Sequence, residues 1–102
     1  MRIGVHVSIA GSIDEAIDRA ASLNCETIQI FSRNPRGWKV EPLDEKEVED
    51  FRRKRREKDI WPILVHIPYI INLATPKENL VKYGRLALVN NFCTVPLFIL
   101  RR

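Results

Sequence analysis

The sequence predicts an α/β domain built on a parallel sheet, with three strands that are each followed by a helix. Runs rich in apolar and β-branched residues at 3–7, 26–31 and 61–67 are typical of buried strands. Their spacing of roughly thirty residues matches one strand–helix unit. Buried strands alternating with helices indicate either a doubly wound sheet or part of a (β/α)8 barrel. Because a complete barrel needs about 250 residues, the 102 residues present would supply its first units only.

The first unit combines a short strand with an amphipathic helix. Residues 3–7 read IGVHV, and a turn follows at 8–11. Ser12 and Glu15 have the spacing of a capping box, in which the serine hydroxyl accepts from a backbone N–H and the glutamate reaches back. Apolar residues then recur at helical spacing, which predicts a helix over 13–23.

The second unit joins its strand to a charged helix predicted over 45–58, with a long polar loop at 32–43 between them. Asp44 and Glu47 repeat the capping-box spacing at the start of that helix. The basic run FRRKRR at 51–56 lies on a helix that should cover the outside of the sheet. We therefore interpret this run as a solvated face rather than as a nucleic-acid site.

The third unit leads from its strand into a helix that opens at Thr75 and Pro76 and is predicted to end near Val89. Proline is favoured in the first turn of a helix because its missing N–H would lack an intrahelical partner there anyway. The tail after the helix is apolar, and a short strand near 97–100 is predicted in it.

Composition is that of an ordinary globular protein, with 45% hydrophobic and 29% charged residues. The net charge of +4 is compatible with a polyanionic partner but does not establish one. Cys25 and Cys93 have no metal-like spacing, and we expect both to be free thiols in a reducing compartment. No signal-peptide pattern is present, and no apolar run reaches the ~18 residues that span a bilayer. We therefore expect a cytoplasmic protein with no membrane partner.

Polar side chains gather where the predicted strands end. His6 lies at the end of the first strand, Gln29 and then Arg33 and Asn34 follow along the second, and His66 closes the third. Sites in parallel α/β folds form at these carboxyl ends. Imidazole suits zinc, yet a catalytic zinc site needs about three protein ligands, and no Asp or Glu at this rim completes one. Each histidine is equally compatible with a hydrogen-bonded structural role.

The loop FSRNPRGWKV has a composition that suits nucleic acid. Arg33, Arg36 and Lys39 are interleaved with Asn34 and Trp38. Guanidinium groups grip phosphates, and planar side chains wedge beside bases. The alternative is a solvated loop with its tryptophan folded onto the surface.

Three stretches in order, IGVHVSIAGSIDEAIDRA, TIQIFSRNPRGWKVEPL and VHIPYIINLATP, resemble the N-terminal third of the endonuclease IV family. These are zinc-dependent apurinic/apyrimidinic endonucleases of base excision repair. The resemblance covers residues 1–86 and implies the first three units of a truncated (β/α)8 barrel with three zinc ions at its carboxyl rim. It implies hydrolysis of the phosphodiester 5′ to an abasic site in double-stranded DNA by a largely monomeric enzyme.

The resemblance also implies roles for individual residues. His66 is similar to a ligand of the most exposed zinc ion. Arg36, Tyr69 and Ile70 are similar to residues that push into the DNA helix and hold open the gap left by the flipped nucleotide. Arg33, Asn34 and Trp38 of the same loop are expected to contact DNA as well. Matching motifs near the site, without an assigned role, contain His6, Gln29, Asn34 and Asn72, and His6 is not expected to be a ligand.

The chain also departs from the family. Residues 87–102 no longer resemble it and are interpreted as a divergent tail produced by a frameshift, a mis-assigned gene end or a truncation. The remaining metal ligands are absent from this sequence, so we expect the chain to be inactive alone. An open sheet edge would favour self-association.

Two other functions remain open from the sequence. Sugar isomerases and epimerases share the barrel and also mount metal ligands on strand ends, although the wedge residues have no role in a sugar pocket. A non-catalytic DNA-binding fragment is the other alternative, because the arginine loop and the wedge are present while the metal site is incomplete.

Overall fold

The computed structural model describes residues 1–36, 42–69 and 71–99, with residues 91–99 described by their backbone alone. Strands and helices alternate along the chain, as the sequence predicts. In order they are β1 (Gly4–His6), α1 (Glu15–Ser22), β2 (Thr27–Phe31), α2 (Glu45–Glu57), β3 (Ile63–His66) and α3 (Glu78–Ile99).

The three strands form one parallel sheet in the order β1-β2-β3. Its register pairs His6 of β1 with Gln29 of β2, and Phe31 of β2 with His66 of β3. Because successive side chains of a strand alternate between the two faces, these four side chains share one face of the sheet. They also lie toward the carboxyl ends of the strands, at the rim where sites of parallel α/β proteins form.

The opposite face of the sheet carries the hydrophobic core. Ile28 and Ile30 of β2 are almost completely buried, together with Ile17 of α1 and Phe51 of α2. Full burial of a side chain of this size stabilises the fold by about 1.5–3 kcal/mol. The connected core comprises Val7, Ile13, Ala16, Ile17, Ala20, Ile28, Ile30, Val48, Phe51, Ile60 and Ile63.

A partly buried ionic contact joins α1 to α2. The Lys54 ammonium donates to Asp14 Oδ2 at 2.7 Å and also to the Asp18 carboxylate. Only 21% of the Lys54 side chain and 14% of the Asp14 side chain are exposed. Burial raises the pKa of Asp14, but hydrogen bonds from Lys54 and Ser12 outweigh it, so the pKa lies below its usual value. Hydrogen bonds to Asp14 and Asp18 raise the pKa of Lys54.

The capping box predicted at Ser12 is wrong. The Ser12 hydroxyl donates to the Asp14 carboxylate, and Asp14 at the helix start makes no side-chain cap. The Glu15 carboxylate instead binds the guanidinium of Arg19 at 2.8 Å, one turn along the helix. The Glu15 amide finds its acceptor in the backbone, at the Ser12 carbonyl. Only half of the second predicted box is present in the described residues: Asp44 Oδ1 accepts from the Lys46 amide at 3.1 Å, and no bond runs from the Asp44 amide to Glu47.

The third helix extends beyond its predicted end. α3 continues past Val89 to Ile99, so the strand predicted near 97–100 is wrong for residues 97–99, and residue 100 lies outside the described part. The predicted end near Val89 lies just before the Asn90-Asn91 pair. Asparagine is a weak helix former and Pro96 lies inside the extended part of the helix, so intrinsic helix propensity does not account for the extension.

The face that bears the histidines remains open to solvent. Leu64 of β3 lies on it and is 55% exposed. β1 and β3 are the two edges of the sheet. In the described ranges, no helix has the length and apolar character needed to cross a membrane.

Candidate functional site

Three aromatic rings meet at the carboxyl rim of the sheet. The ring centroids of His6 and Phe31 lie 4.7 Å apart, those of Phe31 and His66 5.2 Å, and those of the two histidines 6.0 Å. Parallel pairing brings the ends of β1, β2 and β3 to one edge, and the side-chain alternation then turns all three rings to the same face. The two histidines therefore lie together, as the sequence predicts.

Gln29 fixes the protonation pattern of His6. Its Nε2 lies 3.2 Å from Nδ1 of the imidazole. An amide nitrogen can only donate, so Nδ1 accepts and the ring proton resides on Nε2. Burial, and then the charge of His66, lower the pKa of His6. His6 is therefore neutral near pH 7.

The chemistry of His66 fits a zinc ligand. Its imidazole is exposed at the end of β3, and neutral imidazole is a favoured nitrogen ligand of zinc. The site is nevertheless incomplete in this part of the protein. Among the residues that the structure describes, no three histidine, cysteine or carboxylate side chains lie close enough together to hold a metal ion.

The loop after β2 presents Asn34 and Arg36 to solvent. Asn34 Oδ1 accepts from the Arg36 backbone N–H at 3.0 Å, a local turn in which the asparagine side chain shapes its own loop. A cleft of about 970 Å³ lies beside this loop, and its lining includes Asn34, Arg36, His6 and Phe31. Trp38, predicted to contact DNA from the same loop, lies outside the described residues.

Arg33 reaches a different part of the fold. Its Nη2 donates to the Ala87 carbonyl of α3 at 3.4 Å. Nε and Nη1 are buried, and neither finds a hydrogen-bond partner. Burial lowers the pKa of this guanidinium. The structure thus places Arg33 against α3, whereas Arg36 is exposed.

The exit of β3 projects one large aromatic side chain. Tyr69 is 83% exposed, directly after the fully buried Pro68. The Ile71 amide donates to the Pro68 carbonyl at 3.0 Å, so a tight turn holds Tyr69 at its tip. Asn72 Oδ1 accepts from the Ala74 amide at 3.0 Å, which gives Asn72 a loop-shaping part. Ile70, the other predicted wedge residue, is outside the described ranges.

Two residues of the rim were missed in the sequence. Phe31 lies on the strand between those of the two histidines and contacts both rings, and its position two residues after Gln29 was the signal for a shared face. Arg19 donates to the carbonyls of Ser8 at 2.8 Å and Ala10 at 2.6 Å. It thereby ties the loop after β1 to α1, which nothing in its helical spacing revealed.

Two curated proteins that are similar to this chain carry the same description, probable endonuclease 4. The chain is 52% identical over 80 residues to the probable endonuclease 4 of Methanosphaerula palustris, a match that covers 78% of this chain and 28% of the relative. It is 47% identical over 81 residues to the probable endonuclease 4 of Nitrosopumilus maritimus, covering 78% of this chain and 29% of the relative. No protein-family model matches the chain.

A solved structure shares the fold. The crystal structure of endonuclease IV from Thermus thermophilus matches with a TM-score of 0.89 and 32% identity, over 96% of this chain and 37% of that one. This likeness decides between the two predicted architectures in favour of part of a (β/α)8 barrel. The chain spans about a third or less of the curated relatives cited above, 28% and 29% of their lengths.

Proposed function

Because the chain belongs to the endonuclease IV family by sequence and by fold, we propose that it forms part of the DNA-facing rim of a zinc-dependent apurinic/apyrimidinic endonuclease. The reaction is hydrolysis of the phosphodiester 5′ to an abasic site in double-stranded DNA. One observation carries the proposal: the exposed Tyr69 follows His66 by three residues at the exit of β3, and Arg36 is exposed in the loop that follows the neighbouring strand β2. A metal ligand and a wedge at one strand exit would bring the DNA backbone to the metal. A repair role agrees with the expected cytoplasmic location.

His66 is the residue of the described part that would hold zinc. Bound zinc supplies a Lewis acid that lowers the pKa of water and stabilises charge on the phosphate. A complete site needs about three protein ligands, so donors beyond the described residues are required. We therefore expect this chain to show no cleavage activity by itself. The family resemblance implies that His6 is not a ligand.

Arg36 and Tyr69 are the proposed DNA contacts, with Ile70 and Trp38 added from the sequence. Unstacking a base step costs a few kcal/mol. A tyrosine that is 83% exposed in the free protein loses its contact with water on insertion, which offsets part of that cost. The guanidinium of Arg36 is exposed and able to pair with a phosphate.

Binding to an abasic duplex, followed by fluorescence anisotropy over a range of salt concentrations, tests these contacts. For Arg36→Gln we expect the slope of log K against log salt to fall by about 0.9, because one phosphate contact is lost. For Tyr69→Ala we expect weaker binding to the abasic duplex, with little change for an intact duplex.

The chain offers matched controls for both variants. Arg53→Gln changes an arginine on the outer side of α2 that pairs with Asp50 and Glu57, and Tyr83→Ala changes a tyrosine of α3 that is 53% exposed. Neither substitution should alter binding to the abasic duplex. Controls that weaken binding as much as the rim variants would show that the rim is not the DNA-binding surface.

A non-catalytic DNA-binding role is the second candidate for the chain by itself. The observation that favours it is the incomplete donor set around His66 in the described residues. Chelator-sensitive cutting of abasic DNA by the purified chain would exclude it. A sugar pocket, by contrast, has no use for the 83% exposed Tyr69.

A further inference from the structure

We propose that Phe31, supported by His6, is a positioning residue that fixes the orientation of the His66 imidazole. The inference rests on the proposed function, in which His66 binds a metal ion. Phe31 itself has no atom that binds a metal, so it would influence metal binding only by orienting the His66 imidazole.

The contact between Phe31 and His66 is geometrically specific. Their ring planes are 88° apart with centroids separated by 5.2 Å, the edge-to-face arrangement that aromatic pairs prefer. In the described part of the chain, His66 makes ring contacts with Phe31 and His6 and no hydrogen bond. Because its side chain is exposed, these contacts are what restrict its rotation.

Phe31 is in turn held from its other side. The His6 ring packs on it at 4.7 Å with a tilt of 59°. His6 is fixed by the hydrogen bond from the Gln29 amide to Nδ1. The parallel register places His6 opposite Gln29 and Phe31 opposite His66. The four side chains therefore form one continuous cluster, in which Gln29 holds His6 and the rings of both Phe31 and His6 contact His66.

The competing explanation is that Phe31 only fills space, in which case any apolar side chain would serve. The two explanations differ in what they predict for His66. A side chain without a neighbouring ring can distribute over three staggered χ1 wells. If only one of them is competent to bind metal, the apparent affinity falls in proportion to its population, by about threefold.

The first test measures the χ1 angle of His66 in solution by NMR, from three-bond couplings to Cγ. We expect a single rotamer in the native chain and in Phe31→Tyr, and averaged couplings in Phe31→Leu. Leu64→Ala is the control, because Leu64 lies on the same face of β3 and is 55% exposed; it should leave the couplings unchanged. His6→Leu, which removes both the support of Phe31 and the direct ring contact with His66, should also cause averaging and serves if Phe31→Leu does not fold.

The second test titrates each protein with Zn²⁺ and follows the ring signals of His66. Half-saturation should require about threefold more zinc in Phe31→Leu than in the native chain, Phe31→Tyr or Leu64→Ala. If zinc does not perturb His66 in any protein, the proposed zinc ligand is wrong, while the couplings still decide the positioning role. The inference is overturned if His66 keeps one rotamer in both folded Phe31→Leu and His6→Leu, or if Leu64→Ala averages it equally.

Discussion

At the scale of single residues, some side chains at the rim face solvent, and others form hydrogen bonds that shape the backbone of its loops. Arg36 and Tyr69 are exposed and available to a ligand. Asn34 and Asn72 accept hydrogen bonds from amides two residues further on. Arg33 shows the contrast most clearly, since its guanidinium is directed to α3. A sequence pattern locates such residues on the rim but does not tell which way each side chain turns.

Arg33 gives a residue-scale prediction about stability. Two of its nitrogens are buried without a partner, and a buried charged donor left unpaired destabilises the fold by about 1–3 kcal/mol. Its one hydrogen bond, to Ala87 at 3.4 Å, is long. Arg33→Met keeps the unbranched apolar stem and removes the buried donors, so we expect it to raise the free energy of unfolding by about 1 kcal/mol. Urea denaturation measures this value.

The matched control for Arg33 is Arg36→Met, at an exposed site in the same loop. Exposed substitutions usually change the unfolding free energy by about 0.5 kcal/mol or less. A clear loss of stability in Arg33→Met alone would contradict this account of the buried guanidinium.

At the scale of secondary-structure elements, the strands were the easiest part to predict. Their apolar β-branched runs located β1, β2 and β3 to within two residues at each end, because parallel strands of α/β folds are rich in such residues. Helix ends were harder, since they depend on side chains that have alternative partners. Glu15 pairs with Arg19 rather than capping α1, and α3 continues through the asparagines after Val89. Phe31 was overlooked because its importance comes from neighbours on two other strands.

The contact between α1 and α2 gives a prediction at this scale. Asp14→Asn removes the carboxylate that Lys54 binds at 2.7 Å. We expect the free energy of unfolding at pH 7 to fall by about 1–2 kcal/mol, as for other partly buried hydrogen bonds between charged groups. Asp18→Asn should cost less, because 51% of the Asp18 side chain is exposed.

The pH dependence of the contact between Asp14 and Lys54 follows from the direction in which the pKa of Asp14 is shifted. The pKa of Asp14 in the folded protein is lowered from 3.8, so its stabilisation is complete above that pH and is lost as the pH falls through the folded value. The raised pKa of Lys54 keeps the ammonium charged up to and beyond pH 10.5. Native protein and Asp14→Asn should therefore converge in stability at strongly acid pH. An unfolding difference that stays constant from about pH 7 to about pH 2 would contradict the assignment.

At the scale of the whole molecule, the described residues form one sector of a barrel with its inner face open. Leu64, exposed on that face, and the two sheet edges at β1 and β3 are features that further strands cover in a closed barrel. The sequence predicted the parallel sheet from its own pattern. It could not choose between a doubly wound sheet and a barrel, because three strand–helix units are common to both. The likeness to a solved endonuclease IV, at a TM-score of 0.89, made that choice.

The most direct test of the central claim is a chimera that gives this rim the rest of a barrel. The matched segment of the Methanosphaerula palustris relative, 52% identical over 80 residues, is replaced by the corresponding residues of this chain. We predict zinc-dependent cleavage 5′ to an abasic site in duplex DNA, and its loss in the same chimera carrying His66→Ala. A folded, zinc-loaded chimera that fails to cut, or one that cuts equally well with His66→Ala, would contradict the account.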